Sequence, residues 1–137
     1  MSVLQTKRVV QPIPLEVERI GKTVLDAAYK VHTVLGPGLL ESVYQTAMKH
    51  VLEKNGVRVE TEVKLPIMFE GVRLESALRI DMWVANCVIV ELKSVEKMNP
   101  VYEAQLLTYL RLSGTRLGYL INFNVPHLKD SIQRFVY

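Results

Sequence analysis

The 137-residue chain carries 17 Lys and Arg against 14 Asp and Glu, a net charge of +3, with 49% hydrophobic residues. This length and composition predict one globular domain with a real core, and they exclude extensive disorder. The charge permits a polyanionic partner without selecting one. No apolar run approaches the roughly 18 residues of a membrane span, and the N-terminus lacks a signal-peptide core, so no membrane partner is expected.

Cysteine usage indicates the redox compartment. Cys87 is the only cysteine, so no disulfide can form within the chain, and no Cys/His zinc spacing is present. Cys87 lies in the apolar run Cys87–Val90 and is predicted to be a small core residue. A reducing, cytoplasmic location follows as the expectation.

The first part of the chain predicts a short arm followed by two helices. Residues 1–14 show no apolar period and contain two prolines, which predicts an N-terminal arm. Apolar residues then recur at three- and four-residue steps from Leu15 to Leu35, and Gly36-Pro37-Gly38 ends this amphipathic helix. A second helix is predicted from about Leu39 to Lys54. Glu41 would lie in its first turn, where the helix dipole favours an anion.

The rest of the chain predicts strands interrupted by one helix. The strand patterns cover Val57–Val63, Ile67–Phe69, Val72–Leu74, Ala77–Val84, Cys87–Lys93, Leu117–Asn122 and Ile132–Val136. A turn at Glu70-Gly71 is predicted to join the second and third of these strands in a hairpin. The helix begins at Asn99-Pro100, a capping residue before a proline at the first helical position, and ends near Ser113-Gly114. This order predicts a single α/β domain over residues 15–137, with a central mixed sheet flanked by helices.

Three charged residues mark a candidate site on two of these strands. Glu91 and Lys93 share one strand face at the end of an apolar run, and burying such a pair is costly unless partners or a metal compensate. Asp81 lies ten residues earlier. Two carboxylates and an ammonium around one volume could hold a divalent cation against a phosphodiester. A salt-bridged strand end, with Asp81 paired to Arg79, would use the same residues.

The candidate site imposes a condition on the connection at Ala85-Asn86. A simple two-residue turn would pair Asp81 with Val90 and send the two carboxylates to opposite faces of the sheet. A three-residue connection, or a bulge in either strand, would bring Asp81 opposite Glu91. The sequence therefore predicts an odd-length connection or a bulge.

The helix that follows offers a further polar pair. Gln105 and Tyr109 are four residues apart and therefore lie on one helix face, beside an apolar stripe. They could complete the site as groups that position a phosphate. Ordinary boundary residues of an amphipathic helix would have the same spacing, so the pair alone decides nothing.

Two features of the first helix are assigned structural roles. Gly21-Lys22-Thr23 looks like the end of a phosphate-binding P-loop, but Glu16 stands where that motif needs a glycine. The segment is also predicted mid-helix, so nucleotide binding by this route is excluded. His32, near the end of the helix, could serve as a cap, as a core residue or as a phosphate-facing group, and a structural role is the prediction.

The order and spacing of these elements resemble the PD-(D/E)xK nuclease superfamily. Asp81, Glu91-Leu92-Lys93 and Gln105-x-x-x-Tyr109 match its motifs, although Ile80 stands where the superfamily's name has proline. The stretch from Gly38 to Tyr44, Gly-Leu-Leu-Glu-Ser-Val-Tyr, looks like the signature of the GxxExxY family. The resemblance extends from Leu15 to the C-terminus and implies a restriction-endonuclease-like core.

The resemblance also implies roles for individual residues. Asp81 and Glu91 would bind Mg²⁺ or Mn²⁺, and Lys93 would serve the attacking water. The full metal set would be Asp81, Glu91, the carbonyl of Leu92, and Glu41 for a second cation or a metal-bound water. The catalytic set would be Asp81, Glu91, Lys93, Gln105 and Tyr109. Mg²⁺ prefers oxygen ligands, usually one or two carboxylates with waters and substrate phosphate, which suits these residue types.

Three functions remain open on the sequence. The first is a metal-dependent phosphodiesterase, a nuclease whose partner and substrate is DNA. The second is a non-catalytic module of the same fold that binds nucleic acid or a protein. The third is a structural or assembly protein with solvated charges. The sequence does not choose between DNA and RNA, endo- and exonuclease action, one metal and two, or a monomer and a homo-oligomer.

Overall fold

The computed structural model describes residues 11–137, so most of the predicted arm lies outside the described residues. Helix α1 spans Leu15–Leu35, as predicted. Helix α2 spans Glu41–Lys54 and begins two residues later than predicted, because Leu40 is in an extended conformation. Glu41 is therefore the first residue of α2, where the helix dipole favours its carboxylate.

The next two strands form one long hairpin. Strand β1 (Val59–Phe69) and strand β2 (Val72–Val84) each join two segments that the sequence predicts as separate strands. The pairing continues through a register shift between Leu65 and Ile67, which absorbs the irregular residues instead of ending the strands. The intervening Pro66 is tolerated because β1 is an edge strand, where a missing N–H leaves no neighbour unpaired.

The remaining elements complete a five-stranded mixed sheet. They are β3 (Val88–Lys93), α3 (Pro100–Ser113), β4 (Leu117–Asn122), a 3₁₀ turn (Leu128–Ser131) and β5 (Ile132–Val136). The strands lie in sequence order; β3 and β4 are parallel, joined by α3, and every other neighbouring pair is antiparallel. The predicted α/β class with a mixed sheet is confirmed. The predicted cap is present too, because the Asn99 side chain accepts a hydrogen bond from the Val101 N–H at 2.9 Å.

The sheet separates two apolar cores. Helices α1 and α2 cover one face, where Met48 and Leu52 of α2 pack with Val90 and Leu92 of β3. Helix α3 covers the other face with Leu106 and Leu110, and these pack with Ile80, Ile89 and Leu120. Side chains alternate along a strand, so Glu91 follows Ile89 onto the face of α3.

The rejected P-loop resemblance has a packing explanation. Gly21 lies inside α1, and a Cβ atom there would come within 2.9 Å of the side chains of Leu117 and Tyr119. Glycine at this position therefore lets α1 approach β4 closely. Within the described residues, no helix combines the length and apolarity needed to cross a membrane.

Candidate active site

The connection between β2 and β3 has three residues. Val84 pairs with Val88 across Ala85, Asn86 and Cys87, and both Ala85 and Asn86 adopt the left-handed conformation. The pairing of Met82 with Val90 in the same register brings Asp81 level with Glu91. The predicted odd-length connection is thus confirmed. Cys87, predicted within the strand core, lies instead in this connection and is half-buried.

A second irregularity crosses β1 and β2 at the same level. Ile80 packs in the α3-side core and Met82 in the opposite core, although two residues apart on a regular strand share a face. The pairing of β1 with β2 skips Glu62 and Asp81, and Glu62 has a φ of 52°. Both strands therefore change faces here, and Asp81 leaves the regular ladder.

The two carboxylates bridge β2 and β3 through backbone hydrogen bonds. The Asp81 N–H donates to Glu91 Oε2 at 2.9 Å, and the Leu92 N–H donates to Asp81 Oδ2 at 3.0 Å. Side chains thus replace backbone partners where the two strands separate. Among residues 11–137 no donor contacts Asp81 Oδ1 or Glu91 Oε1, so each carboxylate keeps one oxygen for another ligand.

Burial makes the acidic cluster difficult to ionise completely. Glu91 is only 3% exposed, and burial, with the nearby Asp81 charge second, raises the pKa of Glu91 to about 8. Burial also raises the pKa of Asp81, against the opposing effect of the Leu92 N–H and Lys93. The pKa of Glu41 is raised by partial burial and then by Asp81. A divalent cation would relieve this repulsion.

Lys93 joins the carboxylates from the end of β3. Its Nζ lies 4.2 Å from the ring centroid of Tyr102 on α3, a cation–π distance. Its charge lowers the pKa of both Asp81 and Glu91, so it lies within electrostatic range of the pair. The sequence analysis missed Tyr102, although the three-residue step to Gln105 places it on the same helix face.

Gln105 and Tyr109 contact each other rather than the acids. Gln105 Nε2 donates to Tyr109 Oη at 3.2 Å. Tyr109 is 8% exposed and belongs to the α3-side core, whereas Gln105 is exposed. Across residues 11–137 neither side chain hydrogen-bonds to Asp81 or Glu91. The structure therefore brings together Asp81, Glu91, Lys93 and, through its charge, Glu41, and it leaves the Gln105–Tyr109 pair beside them on α3.

Gln45 ties helix α2 to the irregular strand position. Its Nε2 donates to the Asp81 carbonyl at 2.8 Å and to Glu62 Oε2 at 3.2 Å. The other oxygen of this carboxylate, Glu62 Oε1, accepts a hydrogen bond from Arg79 at 3.3 Å, so both oxygens of Glu62 have a partner. Gln45 and Glu62 were both missed as site residues. The signal for Gln45 was its position four residues after Glu41, on the same face of α2.

Replacing Gln45 with leucine is expected to weaken the site while keeping a similar side-chain volume. The Asp81 carbonyl would lose its side-chain donor, at a cost of about 1–3 kcal/mol in unfolding free energy. Cation affinity should fall about 10–100-fold, as when a metal ligand loses its supporting hydrogen bond. Urea unfolding and the Mg²⁺ concentration at half-maximal activity measure the two effects. The exposed Gln133→Leu is the control, and equal cation dependence in both variants would refute the role of Gln45.

The loop before α2 is fixed by Tyr44. Its hydroxyl donates to the Gly36 carbonyl at 2.5 Å and accepts from the Leu39 N–H at 3.2 Å, and its ring stacks on Phe123 with centroids 4.6 Å apart. Gly38 has a φ of 96°, which few other residues adopt. The Gly, Glu and Tyr of the predicted GxxExxY signature thus have a joint physical role, because the loop and Tyr44 fix where α2 and Glu41 begin.

Tyr44→Phe is expected to destabilise the fold by about 1–3 kcal/mol, because two backbone groups lose their shared partner while ring stacking is retained. Chemical denaturation measures the loss. Tyr29→Phe, which removes the hydroxyl of a more exposed tyrosine on α1, is the matched control. If the two variants were equally stable, the Tyr44 hydroxyl would not be holding the loop.

The donor set fits a hard cation with few protein ligands. No group of three or more His, Cys, Asp or Glu side chains in residues 11–137 is arranged to hold a metal. Glu41 therefore does not join Asp81 and Glu91 in one three-carboxylate cluster. Mg²⁺ usually takes only one or two carboxylates and keeps several waters, so Asp81 Oδ1 and Glu91 Oε1 would suffice. Leu92 contributes its N–H here, and the role of its carbonyl stays a prediction.

Comparison with known proteins places this geometry in a family. A family model described as the PD-(D/E)XK nuclease superfamily matches residues 18–135, and the five-stranded mixed sheet agrees with the restriction-endonuclease-like fold of that superfamily. The crystal structure of SSO0001 is similar at 21% identity and a TM-score of 0.45, over 88% of this chain. The chain spans 60% of the length of that protein. Among curated proteins, none matches the chain.

Proposed function

Since the chain belongs to the PD-(D/E)XK nuclease superfamily, we propose that it is a metal-dependent nuclease that hydrolyses phosphodiester bonds in DNA. The observation that carries this proposal is the pairing of Asp81 and Glu91 across separated strands. Each carboxylate keeps one oxygen without a donor, and Lys93 lies beside them. Two acids that oppose each other's ionisation, Glu91 buried and Asp81 half-buried, cost stability unless a cation or protons offset their charge.

In the proposed chemistry, some residues hold the cation and others position the nucleophile or the substrate. A bound divalent cation would polarise a phosphoryl oxygen and lower the pKa of a water. Asp81 of β2 and Glu91 of β3 would hold that cation between the two neighbouring strands. Lys93, oriented over Tyr102, places its ammonium to orient the nucleophile or to offset charge that builds up on the phosphate. Gln105, exposed on α3, is available to contact the substrate backbone.

We also propose that the chain is of the GxxExxY type within the superfamily. The support is the arrangement of Gly38, Glu41 and Tyr44 at the start of α2. In this proposal the negative charge of Glu41, which is close enough to interact with Asp81, would attract a second cation or orient a metal-bound water. The single, half-buried Cys87 is consistent with a reducing compartment.

A non-catalytic binding module is the second candidate, and one observation favours it. Both carboxylates already accept backbone N–H groups, so a protonated pair could serve as a structural latch between β2 and β3 without any cation. The buried position of Tyr109 also agrees with a purely structural α3. Turnover separates this candidate from a nuclease.

The deciding assay is cleavage of circular and linear DNA, single-stranded DNA and RNA with Mg²⁺, with Mn²⁺ and with EDTA. We expect divalent-dependent cleavage of DNA that Asp81→Asn removes. The matched control is Glu75→Gln, which changes an exposed acid on the same strand. Cleavage that survives both EDTA and Asp81→Asn would refute the proposed site, and binding without any cleavage would favour the module.

A further inference from the structure

A cavity of about 420 Å³ lies where the end of α1 meets the segment after β4. Its walls include the rigid residues Pro37 and Pro126. Its polar side chains are Tyr29, His32, Thr33, His127 and Lys129. They comprise an ammonium, two imidazoles and two hydroxyls, and no carboxylate of the described chain is among the lining residues. The cavity therefore offers donors and positive charge to a small anionic group.

Four of these five side chains are exposed to solvent, and no hydrogen-bond partner within residues 11–137 would compete with a ligand for them. The side chains of Tyr29, Thr33, His127 and Lys129 make no hydrogen bond or ion pair with residues 11–137. The exception is His32, whose Nε2 lies 2.8 Å from the Val125 carbonyl. A carbonyl only accepts, so this nitrogen carries the hydrogen, and the bond fixes the imidazole as part of the wall.

The cavity lies along the same edge of the sheet as the candidate active site. Lys93 pairs with Asn122 at the ends of the parallel strands β3 and β4, and the cavity residue His127 follows Asn122 by five positions. On the other side, Pro37 belongs to the loop whose Leu39 carbonyl accepts a 2.6 Å hydrogen bond from Ser94, the neighbour of Lys93. A polymer lying across this edge could reach both places.

The local electrostatics favour an anion despite one opposing element. The C-terminal carbonyls of α1 disfavour negative charge there, because a helix end carries a partial negative charge of about half a unit. Lys129 supplies a full positive charge, which exceeds that partial charge. The hydroxyls and His127 add hydrogen-bond donors.

We propose that this cavity binds a backbone phosphate of the nucleic-acid substrate, at a distance from the bond that is cut. The proposal rests on the proposed nuclease function and adds to it a second anchoring point. Lys129 supplies the charge, and Tyr29, Thr33 and His127 supply directional donors. The cavity thereby fixes the register of the strand that enters the active site.

The test is the salt dependence of DNA binding by Lys129→Ala. Affinity for a short labelled duplex is measured by fluorescence anisotropy in EDTA, from roughly 50 to 200 mM salt. Removing one phosphate contact is expected to reduce the slope of log Kobs against log[salt] by about 0.9. Lys64→Ala removes the same charge from the exposed face of the edge strand β1, at the opposite end of the sheet, and should leave the slope unchanged.

The other results would contradict the proposal, and each points to a different explanation. An unchanged slope for Lys129→Ala, with wild-type DNA binding and cleavage intact, would remove the cavity and leave the nuclease function standing. Equal changes in both variants would indicate a net-charge effect. Shifts of the His127 imidazole signals on titration with inorganic phosphate, with an unchanged slope, would assign the cavity to a free anion. Failure of the wild type to bind DNA in EDTA, with Mg²⁺-dependent cleavage intact, would refute the cavity alone, whereas failure both to bind and to cleave would refute both proposals.

Discussion

Lys93→Ala is expected to reduce phosphodiester cleavage by about 10²–10³-fold, the usual loss when one preorganised charge on a transition state is removed. The ammonium is held over Tyr102 and beside the two carboxylates, so no other cation of the described site occupies that place. Cation binding should persist, because both carboxylates remain. Single-turnover rates at saturating Mg²⁺ measure the effect.

The matched control for this variant is Lys97→Ala, an exposed lysine in the loop after β3. Loss of the contact with Tyr102 costs about 0.5–2 kcal/mol, so thermal unfolding must show that the Lys93 variant is folded at the assay temperature. A folded Lys93→Ala protein that cleaves at the wild-type rate would show that the ammonium has no catalytic role.

Glu91→Gln is expected to make the metal-free protein more stable at alkaline pH. The folded-state pKa of Glu91, about 8, lies above its usual value of 4.5, so the folded protein binds more protons between these values. The contribution of Glu91 to the free energy of unfolding is therefore fully present below about pH 4.5 and is lost as the pH rises through about 8. Glutamine cannot ionise and still offers an oxygen to the Asp81 N–H. The variant should gain on the order of 2–4 kcal/mol at about pH 8–9.

Urea unfolding in EDTA over this pH range measures the difference, with the exposed Glu96→Gln as control. Mg²⁺ should restore the stability of the wild type at alkaline pH, because a cation replaces the lost proton, and it should stabilise Glu91→Gln less. Parallel pH profiles for the wild type and both variants would mean that the Glu91 carboxylate is not held in the buried, repulsive environment described above.

The sequence predicted those helices and caps whose formation depends on residues close together in the chain. The periodicity of α1 and the Asn99 cap depend on neighbouring residues. The odd-length connection after Val84 is inferred instead from the register that a joint site of Asp81 and Glu91 requires.

The hairpin turn at Glu70-Gly71 was predicted and is confirmed, because Phe69 pairs with Val72. The continuous length of β1 and β2 was not predicted, because Ser76 and Glu62 adopt left-handed conformations that are uncommon for their residue types.

The same limit applies within the candidate site. Glu91 and Lys93 could be proposed from sequence because a charged pair at the end of an apolar strand is unusual, and Asp81 could be proposed only with a condition on strand register. Helical spacing places Gln45 on the face of Glu41 and Tyr102 on the face of Gln105. Spacing within a helix does not specify the contacts that these side chains make with β2 and β3, which are the Asp81 carbonyl and the Lys93 ammonium. Tyr109 shows the converse, because its helical spacing from Gln105 fits a core position as well as a catalytic one.

The central claim is that Asp81 and Glu91 together hold a divalent cation. The most direct test is calorimetric titration of Mg²⁺ and of Mn²⁺ into the wild type and into an Asp81→Asn, Glu91→Gln double variant, at about pH 8, where the wild-type carboxylates can ionise. We expect binding at one site in the wild type, accompanied by proton release, and no binding in the folded double variant. Equal binding to both proteins would show that Asp81 and Glu91 do not hold the cation.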